Sequence, residues 1–207
     1  MGLFDRRHSA LRRQLRRAVH WQIAALLLVS CAMVAVFGDA GRELLKYDRL
    51  AIADGEYWRL LSCHVTHLGL SHLALNLAGL VLVWLLVGRH FSTRNWLVIL
   101  AASVTGVSAG FWFIDKNMLW YVGLSGVLHG LLLAGAIQGL KKLPSESVVI
   151  CILVVAKLAW EQFAGPLPGS EAASGGNVVV NAHLYGAIAG AVTAGVLWRR
   201  VPASASI

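Results

Sequence analysis

The stretch Gly123-Leu124-Ser125-Gly126-Val127-Leu128-His129-Gly130 opens an apolar run that continues to about residue 140, with one serine held between glycines at its start. A serine so placed has two contexts. On a sharp turn between a strand and a helix it would belong to an alternating sheet-and-helix chain, with an acid and then a histidine following it. The surrounding sequence has no such alternation. At the head of an apolar helix it is instead one of several polar groups at the same ends of separate helices. Two other apolar segments begin this way, one with Ser71, His72 and Asn76 and one with His183.

Composition decides between the contexts. The 207 residues are 57% hydrophobic and only 14% charged, with a mean hydropathy of +0.67, which excludes an ordinary soluble domain. A transmembrane helix needs about 20 mostly apolar residues. Six segments qualify, at about 20–37, 71–88, 95–113, 124–140, 146–164 and 182–198, and all four prolines fall outside them. A soluble helical bundle would show a polar stripe along each helix, whereas most of these segments are apolar all round. Trp21, Trp96, Trp112, Trp160 and Trp198 stand near segment ends, where indole rings favour the membrane interface. The expected fold is therefore an all-α membrane protein of six transmembrane helices.

Charge gives the expected orientation. Arg6, Arg7, Arg12, Arg13, Arg16 and Arg17 crowd the N-terminus, Arg89, Arg94, Lys141 and Lys142 mark two turns, and Arg199 and Arg200 follow the last segment. The long 38–70 loop balances its basic residues with acids. The positive-inside rule places both termini in the cytoplasm, so segments two, four and six run inward from the outer face. The net charge of +8 is then topological signal and attraction to anionic lipid, with no nucleic-acid partner required. Three parts follow: a basic cytoplasmic segment at 1–19, a helical domain at 20–199 whose 38–70 loop is partly membrane-embedded, and a tail at 200–207. The basic segment reads either as an orientation signal or as an interfacial helix.

The polar residues inside apolar segments carry the chemistry, because such groups are expensive in lipid and mark function by default. His72, Asn76, Gly79 and Val83 share one helix face, and an imidazole and an amide both offer the donors that an oxyanion needs. Gly126, Gly130 and Ala134 form a small-residue stripe, and Gly186, Gly190 and Ala194 form a matching one that lets another backbone approach. Packing through the stripes would bring Ser125 beside His183, a nucleophile beside its base. Lys157 and Glu161, four apart, read either as a self-neutralising pair or as a contact to substrate. A two-residue catalytic unit is the simpler assumption. The glycine-rich 165–181 loop reads as a lid. His64 and His67 have the spacing of a metal pair, but no acid or thiol completes a ligand set nearby. The three cysteines read as free thiols.

Taken together, Gly123-Leu124-Ser125-Gly126, the His72 and Asn76 pair, Ala182-His183 followed by Gly186 and Gly190, and Trp58-Arg59 resemble the rhomboid family of intramembrane serine proteases. The full glycine-to-glycine run 123–130, the short chain and His67 five residues before His72 resemble its rhombosortase subgroup. The resemblance implies a rhomboid-like six-helix bundle with Ser125 as nucleophile and His183 as base. It also implies His72, Asn76 and the Ser125 amide as oxyanion donors; beside these, His67, Gly123, Gly126, His129 and Glu161 read as candidates for site support or substrate contact. It implies no metal and no cofactor, residence in a bacterial inner membrane with the site facing the periplasm, and membrane-anchored substrates with a glycine-rich C-terminal tail. A general rhomboid protease with other transmembrane substrates, a non-catalytic relative of that fold and a small histidine-bearing transporter are the alternatives.

Overall fold

The computed structural model describes residues 21–198, so the basic segment at 1–19 and the tail at 200–207 lie outside the described residues. The chain is mostly helical. Helix α1 (Trp21–Val36) meets α2 (Gly38–Leu45) at an angle of 116°, the bend falling where Gly38 takes φ +56. Two short helices follow, α3 (Arg49–Ala53) and α4 (Arg59–Ser62), so the long loop is built of the short helices its apolar residues suggest. Then come α5 (Leu70–Val87), α6 (Thr93–Ala109), α7 (Ser125–Gly139), α8 (Pro144–Ala164), the short α9 (Ser170–Ser174) and α10 (Val180–Trp198). Local chemistry sets several boundaries. The Asp48 carboxylate accepts from the Leu50 and Ala51 amides to cap α3, the Ser92 hydroxyl caps α6, and Pro144 opens α8.

Four helical spans are long and apolar enough to cross a membrane, Leu70–His90, Thr93–Ile114, Pro144–Ala164 and Val180–Trp198, or five if α1 and α2 count as one broken span. The chain is a multi-pass membrane protein. Of the six expected spans, the fourth is short in the structure, because α7 has only 15 residues. At 1.5 Å per residue it is about 22 Å long, short of the ~30 Å hydrocarbon thickness. It tolerates this because it touches little lipid: α5, α6, α8 and α10 pack around it.

The small-residue stripes make that packing close. A side chain on Gly186 would collide with the Gly126 carbonyl, and one on Gly190 with the carbonyl of Gly130. Without a hydrophobic force between helices in lipid, such backbone contact supplies the van der Waals attraction. Trp96 is not a ring exposed to lipid but is fully buried, against Trp84 and Phe91. Its indole N–H donates to the Gly88 carbonyl at 2.9 Å, which removes the cost of burying it.

The 38–70 segment is tied to the rest by a two-residue antiparallel pair, β1 (Tyr47–Asp48) with β2 (Trp120–Tyr121), Tyr47 facing Tyr121. Arg59 is buried within the loop, where it binds the Glu56 carboxylate at 2.6 Å and the Glu43 and Lys46 carbonyls at 2.8 and 3.0 Å. Those carbonyls end α2, so one guanidinium closes that helix and joins it to α4.

Candidate functional site

Ser125 is the first residue of α7, and His183 lies in the first turn of α10. The backbone approach of the two helices brings them together: the Ser125 hydroxyl lies 3.0 Å from His183 Nε2. On the other side of the ring, His183 Nδ1 is 2.9 Å from Glu161 Oε2. A carboxylate can only accept, so Nδ1 carries the hydrogen, and the Nε2 lone pair faces the serine. The second carboxylate oxygen accepts from the Lys157 ammonium at 2.6 Å. Lys157 Nζ also lies 3.4 Å from His183 Nδ1. Two donors cannot bond each other, so that approach is a charge contact beside the carboxylate bridge. Glu161 is 3% exposed and His183 5%, so these charges interact away from bulk water.

His129, one turn below Ser125, stacks on His183 with ring centroids 4.2 Å apart and planes inclined by 22°. Its own Nδ1–H donates to the Ser125 carbonyl at 2.7 Å. The imidazole of His183 is thus fixed in plane by a ring beneath it and in rotation by a carboxylate at its edge. His129, Glu161 and His183 bring ligand-capable atoms within 4.8 Å of one another. The ammonium of Lys157 already neutralises the carboxylate that such a metal set would use.

The α5 residues approach from the opposite wall. His72 Nδ1 accepts from the Leu68 amide at 3.3 Å, which leaves the hydrogen on Nε2. That edge points towards Gly123, where an added side chain would lie 3.1 Å from Nε2 and where φ is +135. Only glycine combines that backbone with room for the ring. Asn76 spends one amide hydrogen on the His72 carbonyl at 3.0 Å and, having two, keeps a second. The site therefore brings together a hydroxyl, an imidazole whose lone pair faces it, and two further N–H donors.

His67 stands behind these groups. Its ring meets that of His72 edge-on at 5.2 Å, and neither of its nitrogens has a partner. Burial, with the nearby His72, pushes its pKa down to about 4, so it packs as a neutral ring. His64 turns instead to the Ser108 hydroxyl at 3.1 Å. The two histidines that had the spacing of a metal pair thus face different partners. Cys31, Cys63 and Cys151 are free thiols.

A cavity of about 350 Å³ opens over Ser125, between α5 and α8. Leu75, Leu82, Leu128 and Leu132 line its deep end, and His72, Asn76, Ser125 and His183 its polar end. The 165–181 loop roofs it through Leu167, Ser174, Val178 and Val179, and the Ser174 carbonyl accepts from the Ser71 hydroxyl at 3.3 Å. Sequence reasoning missed Tyr121, which lines this cavity and donates to the Gly123 carbonyl at 2.8 Å. It also missed the Leu68 amide that sets the His72 tautomer. A main-chain donor leaves no trace in the sequence, and Tyr121 sits in a stretch that no periodicity marks.

Comparison with known proteins gives the family. Residues 54–200, the larger part of the chain, match the family model described as "Rhomboid domain". The chain is 42% identical over 82 residues to "Rhomboid protease GluP" of Bacillus subtilis (strain 168), a match covering 39% of this chain and 16% of that one. It is 32% identical over 120 residues to "RHOMBOID-like protein 4" of Arabidopsis thaliana, covering 56% of this chain and 30% of that one. The chain thus spans well under half the length of either relative. With a family match of that extent lying over the whole of the α5, α7 and α10 polar cluster, the chain belongs to the rhomboid family.

Proposed function

We propose that this chain is an intramembrane serine protease that cuts membrane-anchored proteins near the outer face of the lipid. The observation that carries the reading is the 3.0 Å contact between Ser125 Oγ and His183 Nε2 at the floor of a cavity. The printed name of the Bacillus relative supports it. The Ser125 oxygen attacks the scissile carbonyl carbon while its proton passes to His183 Nε2. Negative charge on the carbonyl oxygen is met by His72 Nε2–H, the free Asn76 amide hydrogen and the Ser125 amide. Collapse breaks the C–N bond, His183 returns the proton to the leaving nitrogen, and an acyl-enzyme remains. Water, or an amine in a sorting reaction, then displaces Ser125 from the acyl group.

The apolar walls between α5 and α8 suit a substrate helix arriving from the lipid. A peptide bond inside a helix is shielded and its carbonyl is already bonded, so the segment must unwind first. Glycine lowers that cost by about 1 kcal/mol per residue relative to alanine. This favours substrates with a glycine-rich C-terminal tail, as the rhombosortase resemblance implies. The arginine-rich termini favour a cytoplasmic location for both ends, with the site facing the periplasm across a bacterial inner membrane.

The test is co-expression of candidate glycine-rich-tailed exported proteins with the wild-type chain and with Ser125→Ala, reading the mature C-terminus by mass spectrometry. Cleavage should vanish with Ser125→Ala, and equal processing by both chains defeats the proposal. A non-catalytic rhomboid-like binding protein is the second reading, prompted by the name of the Arabidopsis relative. Covalent labelling of Ser125 by a fluorophosphonate separates the two, since a binding protein has no need of an activated serine.

A further inference from the structure

A serine and a histidine suffice as the reacting pair, yet α8 delivers a third group to them. Glu161 is among the few acids of the membrane-spanning helices, and a lone carboxylate there is costly. Its side chain is 2% exposed, with one oxygen on His183 Nδ1 at 2.9 Å and the other on Lys157 at 2.6 Å. Self-neutralisation with Lys157 would need only one oxygen, and nothing in that role would direct the second to the back of an imidazole. Both residues line the cavity, and Lys157 differs from its partner in being 29% exposed.

We infer that Glu161 is the positioning residue of His183: its carboxylate, anchored by Lys157, fixes the Nδ1–H tautomer and stabilises the imidazolium formed when Ser125 gives up its proton. The inference rests on the serine-protease reading and turns its two-residue unit into a Ser125, His183, Glu161 line with Lys157 as counter-charge. The proton stays balanced throughout. It moves from Ser125 Oγ to His183 Nε2 and on to the leaving nitrogen, while the Nδ1 hydrogen never leaves its place against Glu161. Lys157 holds the other carboxylate oxygen at 2.6 Å and so fixes the carboxylate's orientation towards His183.

The charged and titratable groups facing His183 are Glu161 and Lys157 from α8, His129 from α7 and His72 from α5. The two α8 groups have opposite signs, and that supplies the test. The rate of fluorophosphonate labelling at Ser125 is measured against pH on the purified full-length chain in proteoliposomes, for wild type, Glu161→Gln, Glu161→Asp and Lys157→Met. Glu161→Gln should label about 10²- to 10⁴-fold more slowly, as when the carboxylate behind a catalytic histidine becomes an amide. Glu161→Asp, which keeps the charge, should restore most of that loss. The acid limb of the profile should move to lower pH in Glu161→Gln and to higher pH in Lys157→Met, because one change removes a negative neighbour and the other a positive one. Loosened packing cannot move the limb in opposite directions. Wild-type labelling with an unchanged rate and limb in Glu161→Gln overturns this inference alone. Failure of the wild-type chain to label at Ser125 overturns the serine-protease reading, and the inference with it.

Discussion

Replacing Gly126 by alanine tests whether close backbone contact is what joins the two halves of the site. An added side-chain carbon there would stand 2.7 Å from the Ala182 carbonyl oxygen and 3.0 Å from Val107 Cγ2, where ordinary contact begins near 3.4 Å. The obstruction lies between the residue after Ser125 and the residue before His183. Relief requires α7 and α10 to part by about 0.7 Å at this level. If that movement passes to the side chains, the 3.0 Å contact lengthens to roughly 3.7 Å, outside the ~3.2 Å reach of a working nucleophile and base. A misplacement of about 1 Å costs on the order of 10²-fold in rate, so labelling of Ser125 should fall by about 10- to 100-fold. Stability should change less. Overpacking costs about 1–3 kcal/mol, against about 1 kcal/mol gained from alanine's better helix propensity. Gly195→Ala on the same α10 is the control, because nothing lies within 4 Å of the added carbon. Labelling kinetics and thermal unfolding of all three chains in the same micelles give the comparison. Wild-type labelling by a folded Gly126→Ala chain would refute the argument.

Two further outcomes follow from groups around the site. His72→Ala removes one proposed oxyanion donor and should lower kcat by about 10²- to 10³-fold, with little change in KM because the lost bond would form only in the transition state; a KM effect alone would remove His72 from that role. Arg59→Met leaves the Glu43 and Lys46 carbonyls without their donor and should lower stability by about 2–3 kcal/mol, read as a reduced Tm. An unchanged melting curve would mean that this guanidinium does not hold the 38–70 segment.

Much of the site was legible because lipid makes polar residues conspicuous. Ser125, His183, His72 and Asn76 stand out against leucine and valine, and the glycine stripes at intervals of four give the helix faces. Those same intervals place Gly186 against Gly126. The part that escaped reading has a physical cause in each case. Lys157 and Glu161 are neighbours on one helix, so their mutual pairing is visible from spacing alone, whereas the second oxygen's partner depends on how α8 leans over α10. Hydropathy counted 124–140 as a span because it measures apolar content, which burial in protein and exposure to lipid demand alike. Nor does an indole near a segment end reveal whether it faces lipid or protein, and only the Gly88 carbonyl explains why Trp96 is buried. The β1 and β2 pair consists of two residues each, too short to leave a period.

The brevity of α7 has a bearing on where the reaction obtains its water. A helix of about 22 Å that begins at Ser125 cannot reach both faces of a ~30 Å film, so one end must stop inside it. Non-helical backbone at that depth persists only where protein encloses it or where it borders a wet hollow. The stretch leading down to Ser125 meets that condition through Tyr121 and Gly123 on one side and the roofing loop on the other. For the proposed hydrolysis, cutting one helix short is what would admit water to Ser125 within the bilayer.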